Sequence, residues 1–304
     1  MSIETLIDTE APIHEGGCSA IEHIIEPEER SLGDFSVRRI LPAHHHRQVG
    51  PWLFFDHMGP VAFAAGQGVD VRPHPHINLA TVTYLFEGEM LHRDSLGNEL
   101  CIEPGEINLM VAGRGIVHSE RQRDSIKAAP HRLHGLQLWL ALPEKDEEID
   151  PEFHHYNATD IPEAVIDDVP VRVLMGQAYD LHSPVKTFAD TLYTEARLQT
   201  GQSLTLPDTA VERAVYIVSG QCQAQGTIIN EHEMAVFNQA QEIRLTATEP
   251  SQIVIIGGET LTRRHIWWNF VSSRKERIEQ AKADWRDGKF PTIPGDDKEF
   301  IPLP

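Results

Sequence analysis

Cysteine is scarce in this chain. Only Cys18, Cys101 and Cys222 occur among 304 residues, and none belongs to a CxxC pair. An odd number at such distances argues against a disulfide framework and fits a reducing compartment. Basic residues are also in short supply, with 26 Lys and Arg against 46 Asp and Glu, a formal net charge of −20 with histidine neutral. Unaided nucleic-acid binding draws most of its affinity from Lys and Arg on phosphates, so no direct nucleic-acid contact is expected. The same shortage disfavours an anionic membrane surface. Met1–Glu10 has neither a basic nor an apolar region of the secretory type, and no run approaches the apolar length needed to span a bilayer. A cytosolic protein with a self-repelling surface is the expectation.

What the chain does have is length for about two domains and many strand-type segments. Asn78–Phe86 is β-branched and aromatic and ends at Gly88. Further strand candidates are Ile107–Val111, Leu136–Leu142, Val171–Met175, Ala214–Val218, Ile228–Ile229, Met234–Phe237 and Ile253–Ile256. Turn residues separate them at short intervals, as at Glu103-Pro-Gly105 and Ser219-Gly220, a pattern of sandwiches and barrels rather than of alternating strands and helices. Around residues 143–170 the composition shifts to a charged run, Pro143 to Glu148, followed by Pro151 and Pro162, which reads as a connection between domains with some docked structure. The second half weakly repeats the first. Thr83-Tyr-Leu-Phe-Glu-Gly88 resembles Val215-Tyr-Ile-Val-Ser-Gly220, and with these glycines matched, Leu206 and Asp208 fall opposite His74 and His76. Near the end, Ser273-Arg-Lys-Glu276 reads as a capping box, Ile278, Ala281 and Trp285 recur at helical spacing, and Gly288 is a stop. One amphipathic helix on a barrel is predicted, followed by an extended proline-containing tail.

Chemistry concentrates in two short segments. The first is Arg72-Pro-His74-Pro-His76. Proline pushes the residue before it out of the helical region and fixes its own φ at a value that extended chain accepts. Residues two apart then share a face, so the two imidazoles converge. Proline within a strand also places it at an edge or a start. The second segment is Gly113-Arg-Gly-Ile-Val-His118-Ser-Glu120, a glycine turn leading into a strand on which His118 and Glu120 share a face. Three neutral imidazoles and a carboxylate suit a borderline divalent ion. An octahedral iron(II) or manganese(II) would retain two open positions, whereas zinc would close a four-coordinate structural site. The run His44-His45-His46, by contrast, sends consecutive side chains to opposite faces and reads as an exposed loop.

These segments carry a family resemblance. Gly50-Pro-Trp-Leu-Phe-Phe-Asp56-His-Met-Gly-Pro60, His74-Pro-His76, Thr81-Val-Thr-Tyr-Leu85, Ala112 to Glu120 and Gly135-Leu-Gln-Leu-Trp-Leu-Ala-Leu-Pro143 resemble the pirin family of the cupin superfamily, densely over residues 33–143 and more loosely beyond. The resemblance implies an all-β bicupin, two cupin-type barrels with a C-terminal helix. The first would be a metal-binding domain over residues 1–145. The second, over residues 146–304, would lack a metal site and end in the helix and tail. His74, His76, His118 and Glu120 match the family's ligand positions one by one. The spacing from Gly68 to His74 also fits the cupin pattern, while Ala80 and Thr81 stand where cupins generally place a Glu, whose role Glu120 assumes. Ile77 replaces an arginine found in some members, which bears on pocket charge. One divalent ion is implied, iron(II) first, with manganese, nickel, copper and zinc as other candidates.

Further pocket candidates are His92, beside the metal or bonded in the turn before Asp94; Asp56 and His57, at the barrel entrance or capping a loop; and Gln137 with Trp139, lining the pocket or packing between barrels. Met110 and Val111 read as core. The resemblance implies a quercetin 2,3-dioxygenase-type activity, ring cleavage of a flavonol or related enolisable aromatic with release of carbon monoxide, Glu120 serving as base. The alternative is a non-enzymatic, iron-binding, redox-sensing regulator that works through protein partners, for which the acidic surface is better suited than for DNA. A purely structural metal is a third reading.

Overall fold

The computed structural model describes residues 13–14, 20–32, 35–238 and 242–304. Cys18 lies outside the described residues, and Cys101 and Cys222 are free thiols. No helix is long and apolar enough to cross a membrane among the described residues.

The strand segments pair antiparallel into two barrels, each made of one long sheet and one four-stranded sheet. The long sheet of the first barrel runs Glu152–Tyr156, Ile107–Val111, Leu79–Glu87, His131–Ala141, Trp52–Phe63, Ser36–Leu41, Glu28–Ser31, and its short sheet runs Asp70–His76, Ile116–Arg121, Met90–Asp94, Glu99–Ile102. In the second barrel the long sheet centres on Met234–Phe237, Glu212–Ser219, Ser251–Gly258, Thr191–Leu198 and Val169–Ala178, while Ser203–Thr205, Arg244–Ala247, Cys222–Ala224 and Thr227–Ile229 form the short one. Strands cross between the halves of the sequence. Ile21–Ile25 pairs with Met234–Phe237, and Glu152–Tyr156 pairs with Ile107–Val111.

Period-two alternation decides what each face does. From the long sheet of the first barrel, Ala80, Val82, Tyr84, Leu136, Leu138 and Leu140 enter a core shared with Tyr193, Tyr216, Met234 and Ile256 of the second. The intervening Thr81, Thr83, Gln137 and Trp139 are buried on the opposite face, inside the first barrel. Both faces are therefore covered, which is why these strands read as nearly continuous apolar runs. Trp52 ties the barrels together as well, its indole N–H donating to the carbonyls of Leu192 (3.2 Å) and Gly257 (3.1 Å).

The internal repeat is visible in the backbone. Gly88 and Gly220 both have left-handed φ, +87° and +83°, and a Cβ on either would collide with a carbonyl oxygen, that of Arg132 or Pro250. The barrels differ in what fills them. Leu206, opposite His74 in the repeat, is buried with Leu204, Val215, Ile217, Leu245 and Ile255 in an apolar interior, and Asp208 is exposed.

The C-terminal helix spans Lys275–Arg286, buries Ile278 and Ala281, and is followed by Gly288 at φ +67°. The expected capping box does not form. Ser273 instead directs its N–H and hydroxyl, both at 2.8 Å, to the buried carboxylate of Glu147. Glu147 also pairs with the buried Arg264 at 2.8 Å, so the charged connection is docked against the C-terminal segment. A buried carboxylate requires donors, and here it outcompetes the helix end for Ser273.

His57 lies neither at a barrel entrance nor in a loop cap. It is buried between the barrels, with Nδ1 2.7 Å from the Tyr216 hydroxyl, Nε2 2.8 Å from His134 Nε2, and its ring 5.2 Å from that of His232. Burial first, then the neighbouring imidazoles, holds His57 well below its ordinary pKa. Burial likewise lowers His134 and His232 to about 4. In the unfolded chain these groups titrate near about 6.5, so their contribution to stability is complete above that pH and is lost as pH falls towards about 4. The melting temperature should drop between pH 7 and pH 5, and His134→Gln should flatten that drop. Superimposable pH profiles for the two proteins would exclude the cluster from the linkage.

Candidate metal centre

The HxH and HxE segments are adjacent antiparallel strands of the short sheet in the first barrel, Asp70–His76 and Ile116–Arg121. His118 stands opposite His74, and Ile116 opposite His76. Asp70–His76 is an edge strand, as its two prolines require. Between the pairs His118–His74 and Glu120–Val71 the register slips by one residue, a bulge on the proline strand at Arg72-Pro73. Asn78, with φ +59°, then turns the chain from this sheet into the long one; asparagine is among the few residues that tolerate this conformation.

The result is a buried triad. One ring nitrogen from each of His74, His76 and His118 lies within 4.8 Å of the others. The ring centroids of His74 and His118 are 4.4 Å apart, with 5.1 Å from His74 to His76 and 5.0 Å from His76 to His118. Burial is the principal cause that holds all three well below their ordinary pKa, and neighbouring imidazoles add to it. Neutral rings keep a lone pair available for coordination. His74 Nδ1 is 2.9 Å from the Arg72 carbonyl and His76 Nδ1 is 3.2 Å from that of Asn269. Those contacts orient the opposite nitrogens of both rings towards the common centre.

The donor set fits a divalent cation. His76 Nε2 and both nitrogens of His118 are buried with no hydrogen-bond partner among the described residues. A buried polar atom left unsatisfied costs about 1–3 kcal/mol, and a cation among the three rings would remove that cost.

Glu120 is buried on the same strand as His118 but is not one of the grouped three. Its Oε1 accepts from Gln137 Nε2 at 2.6 Å. Gln137 thus lines the barrel interior, as does Trp139, whose ring meets His76 edge-on at 5.0 Å and stacks on Phe54 at 4.1 Å. Asp56 is the register partner of Gln137 and forms a buried bidentate pair with Arg39, both bonds 2.8 Å, instead of shaping an entrance. Arg39 had no signal in the sequence that would link it to this layer. His92 is bonded to Asp94 at 3.0 Å, as the turn reading expects, and its ring lies 5.4 Å from that of His118. Met110 and Val111 are core. Ile77 points away from the triad into an apolar cluster with Trp268 and Phe270, so this position does not set the charge of the pocket. His44 and His45 are exposed and His46 sits beside His23, apart from the triad.

Loss of one imidazole should abolish retention of the ion. His118→Ala is expected to lower bound metal from about one equivalent to near zero by elemental analysis. Metal at about 100 times its Kd should stabilise the unaltered protein by about 2.7 kcal/mol, and that gain should vanish in the variant. Unchanged metal content in His118→Ala would rule out the triad as the site.

Known proteins resemble this chain in sequence and fold. A family model described as Pirin matches residues 34–140, and one described as the Pirin C-terminal cupin domain matches residues 193–291. A pirin-like protein of Caulobacter vibrioides is 45% identical over 287 residues, covering 93% of this chain and 99% of its own. Pirin of Homo sapiens is 32% identical over 263 residues, covering 83% of this chain and 87% of its own. The crystal structure of a quercetin 2,3-dioxygenase from Acinetobacter baumannii superposes with a TM-score of 0.86 at 32% identity, covering 94% of this chain and 95% of that one. A bacterial pirin from Escherichia coli, solved in complex with nickel(II), shares the fold with a TM-score of 0.61 at 21% identity, covering 77% of this chain and 96% of that one.

Proposed function

This chain belongs to the pirin family, and from that premise we propose that it is a metal-dependent dioxygenase of the quercetin 2,3-dioxygenase type, acting on a flavonol or a related enolisable aromatic. The observation that carries the reading is the triad of buried, neutral imidazoles with the Glu120 carboxylate on the same strand, set inside a barrel whose counterpart is apolar. The similarity to the Acinetobacter enzyme supports it. We assign His74, His76, His118 and Glu120 as the ligands of one ion, iron(II) by preference. When bound, the ion would supply Lewis acidity and a template for the reactants.

The protein's own groups would do the rest. Glu120 is the candidate base for the substrate hydroxyl proton, and the Gln137 amide on its Oε1 fixes the direction of the carboxylate. Trp139, stacked on Phe54 and 5.0 Å from the His76 ring, puts an aromatic side chain beside the triad for contact with an aromatic substrate. The Trp139 indole N–H is buried without an acceptor among the described residues, so it is available to a substrate oxygen. The free thiols Cys101 and Cys222 support a reducing location such as the cytosol.

The reading is tested by aerobic incubation of iron- or manganese-loaded protein with quercetin, following loss of the flavonol absorbance. Glu120→Ala should reduce turnover by about 100-fold or more, the range of a lost general base. No turnover above that variant would remove the enzymatic reading. Retained metal without turnover, together with a protein partner whose binding depends on iron oxidation state, would replace it with the regulatory one.

A further inference from the structure

The outer face of the two ligand strands is covered by a segment distant from them in sequence. Residues 265–304 form a short hairpin, His265–Trp267 with Phe270–Ser272, then the helix Lys275–Arg286, then an extended tail. Its contacts fall on the metal-binding strands themselves. The Asn269 carbonyl meets His76 Nδ1, and Ile77 bridges in parallel to Phe270. The backbone N–H of Ile301 donates to the Pro73 carbonyl at 2.9 Å. The Asp296 carboxylate accepts from the Ser119 hydroxyl at 2.7 Å and from Nε and Nη2 of Arg121, both at 2.8 Å. Ser119 and Arg121 flank Glu120, and Ser119 also follows His118. Apolar packing of Ile77 against Trp268, Phe270, Ile278 and Ala281, with Trp285, Ile301 and Leu303, holds the segment in place.

We propose that this C-terminal strap is a positioning device for the metal centre, with Asp296 as its principal positioning residue. The inference rests on the metal reading above and adds a requirement that the ligand residues alone do not imply. His74 takes its orienting carbonyl from its own strand, two residues away, whereas His76 takes it from Asn269, 193 residues away. Asp296 restrains the strand of His118 and Glu120 from behind, and Ile301 restrains the strand of His74 and His76. Strand direction sets where each ligand atom points, so releasing the strap misplaces several donors at once. Loss of such a supporting contact commonly weakens metal affinity by about 10–100-fold. Residues 292–304, which include Asp296 and Ile301, lie beyond the segments that match the family models. The hairpin and helix of the strap lie within the matched C-terminal segment, and the tail adds Asp296 and Ile301 to them.

The experiment is cobalt(II) titration of the full-length metal-free protein, read by visible absorption and by competition with a chelator. Binding of one equivalent by the unaltered protein and none by His118→Ala establishes the centre. Failure at that step overturns the metal reading itself. Once binding is established, Asp296→Ala should bind cobalt(II) about 10–100-fold more weakly with an altered ligand-field spectrum, and Asp296→Glu should recover much of both. Removal of residues 298–304, which keeps Asp296 and releases Ile301, should produce a loss in the same direction and decides the matter if Asp296→Ala does not fold. Wild-type affinity and spectrum in Asp296→Ala, or in the truncated chain when Asp296→Ala does not fold, would overturn the proposal.

Discussion

The site depends first on one strand register. His118 lies opposite His74 across the edge of a four-stranded sheet, and the side-chain period of two carries His76 and Glu120 along with them. A slip of one residue in either strand would turn that strand's two side chains outward, His74 and His76 or His118 and Glu120, and break the convergence. Several features oppose such a slip. The prolines restrict the edge strand to extended conformations, the bulge at Arg72-Pro73 is specific to one alignment, and the strap presents apolar and charged partners only to the correct outer face. The register also leaves His76 Nε2 and both nitrogens of His118 buried without a hydrogen-bond partner among the described residues. That tension is a reason to read the triad as a cation site rather than as polar core.

The two barrels place different contents in one scaffold. Each long sheet gives one face to a shared apolar core, so the interface between barrels is built like a domain interior. The other faces differ. In the second barrel they are filled by Val, Ile, Leu and Ala side chains. In the first, a polar layer of Arg39, Asp56, Gln137 and Glu120 lies between two apolar clusters. Buried polar groups are tolerated when they satisfy one another: Arg39 and Asp56 pair bidentately, and Gln137 donates to Glu120.

Much of this was legible in the sequence. Strand positions followed from β-branched runs between Gly and Pro turns, and Ile107–Val111 and Met234–Phe237 coincide with observed strands. The repeat around Gly88 and Gly220 correctly indicated that the second barrel lacks imidazoles at the matching place. Convergence of His74 with His76 followed from the extended geometry that proline imposes. Local pattern misled where a distant group competed for the same atoms. Ser273 had the sequence of a helix cap, yet Glu147 took its donors, and His57 looked like a pocket residue until Tyr216 and His134 enclosed it.

The chain's sequence by itself determined the elements of the site: which residues can ligate, that they occur on extended segments, and that they pair two by two. These depend on backbone restriction and side-chain period, which act over a few residues. Only the tertiary structure decided that the two pairs occupy neighbouring strands, that burial keeps the three rings neutral, and that Asn269 and Asp296 stand behind them. Register, desolvation and support from residues 193 and 177 positions away arise from packing. No local stretch of sequence encodes packing over such distances.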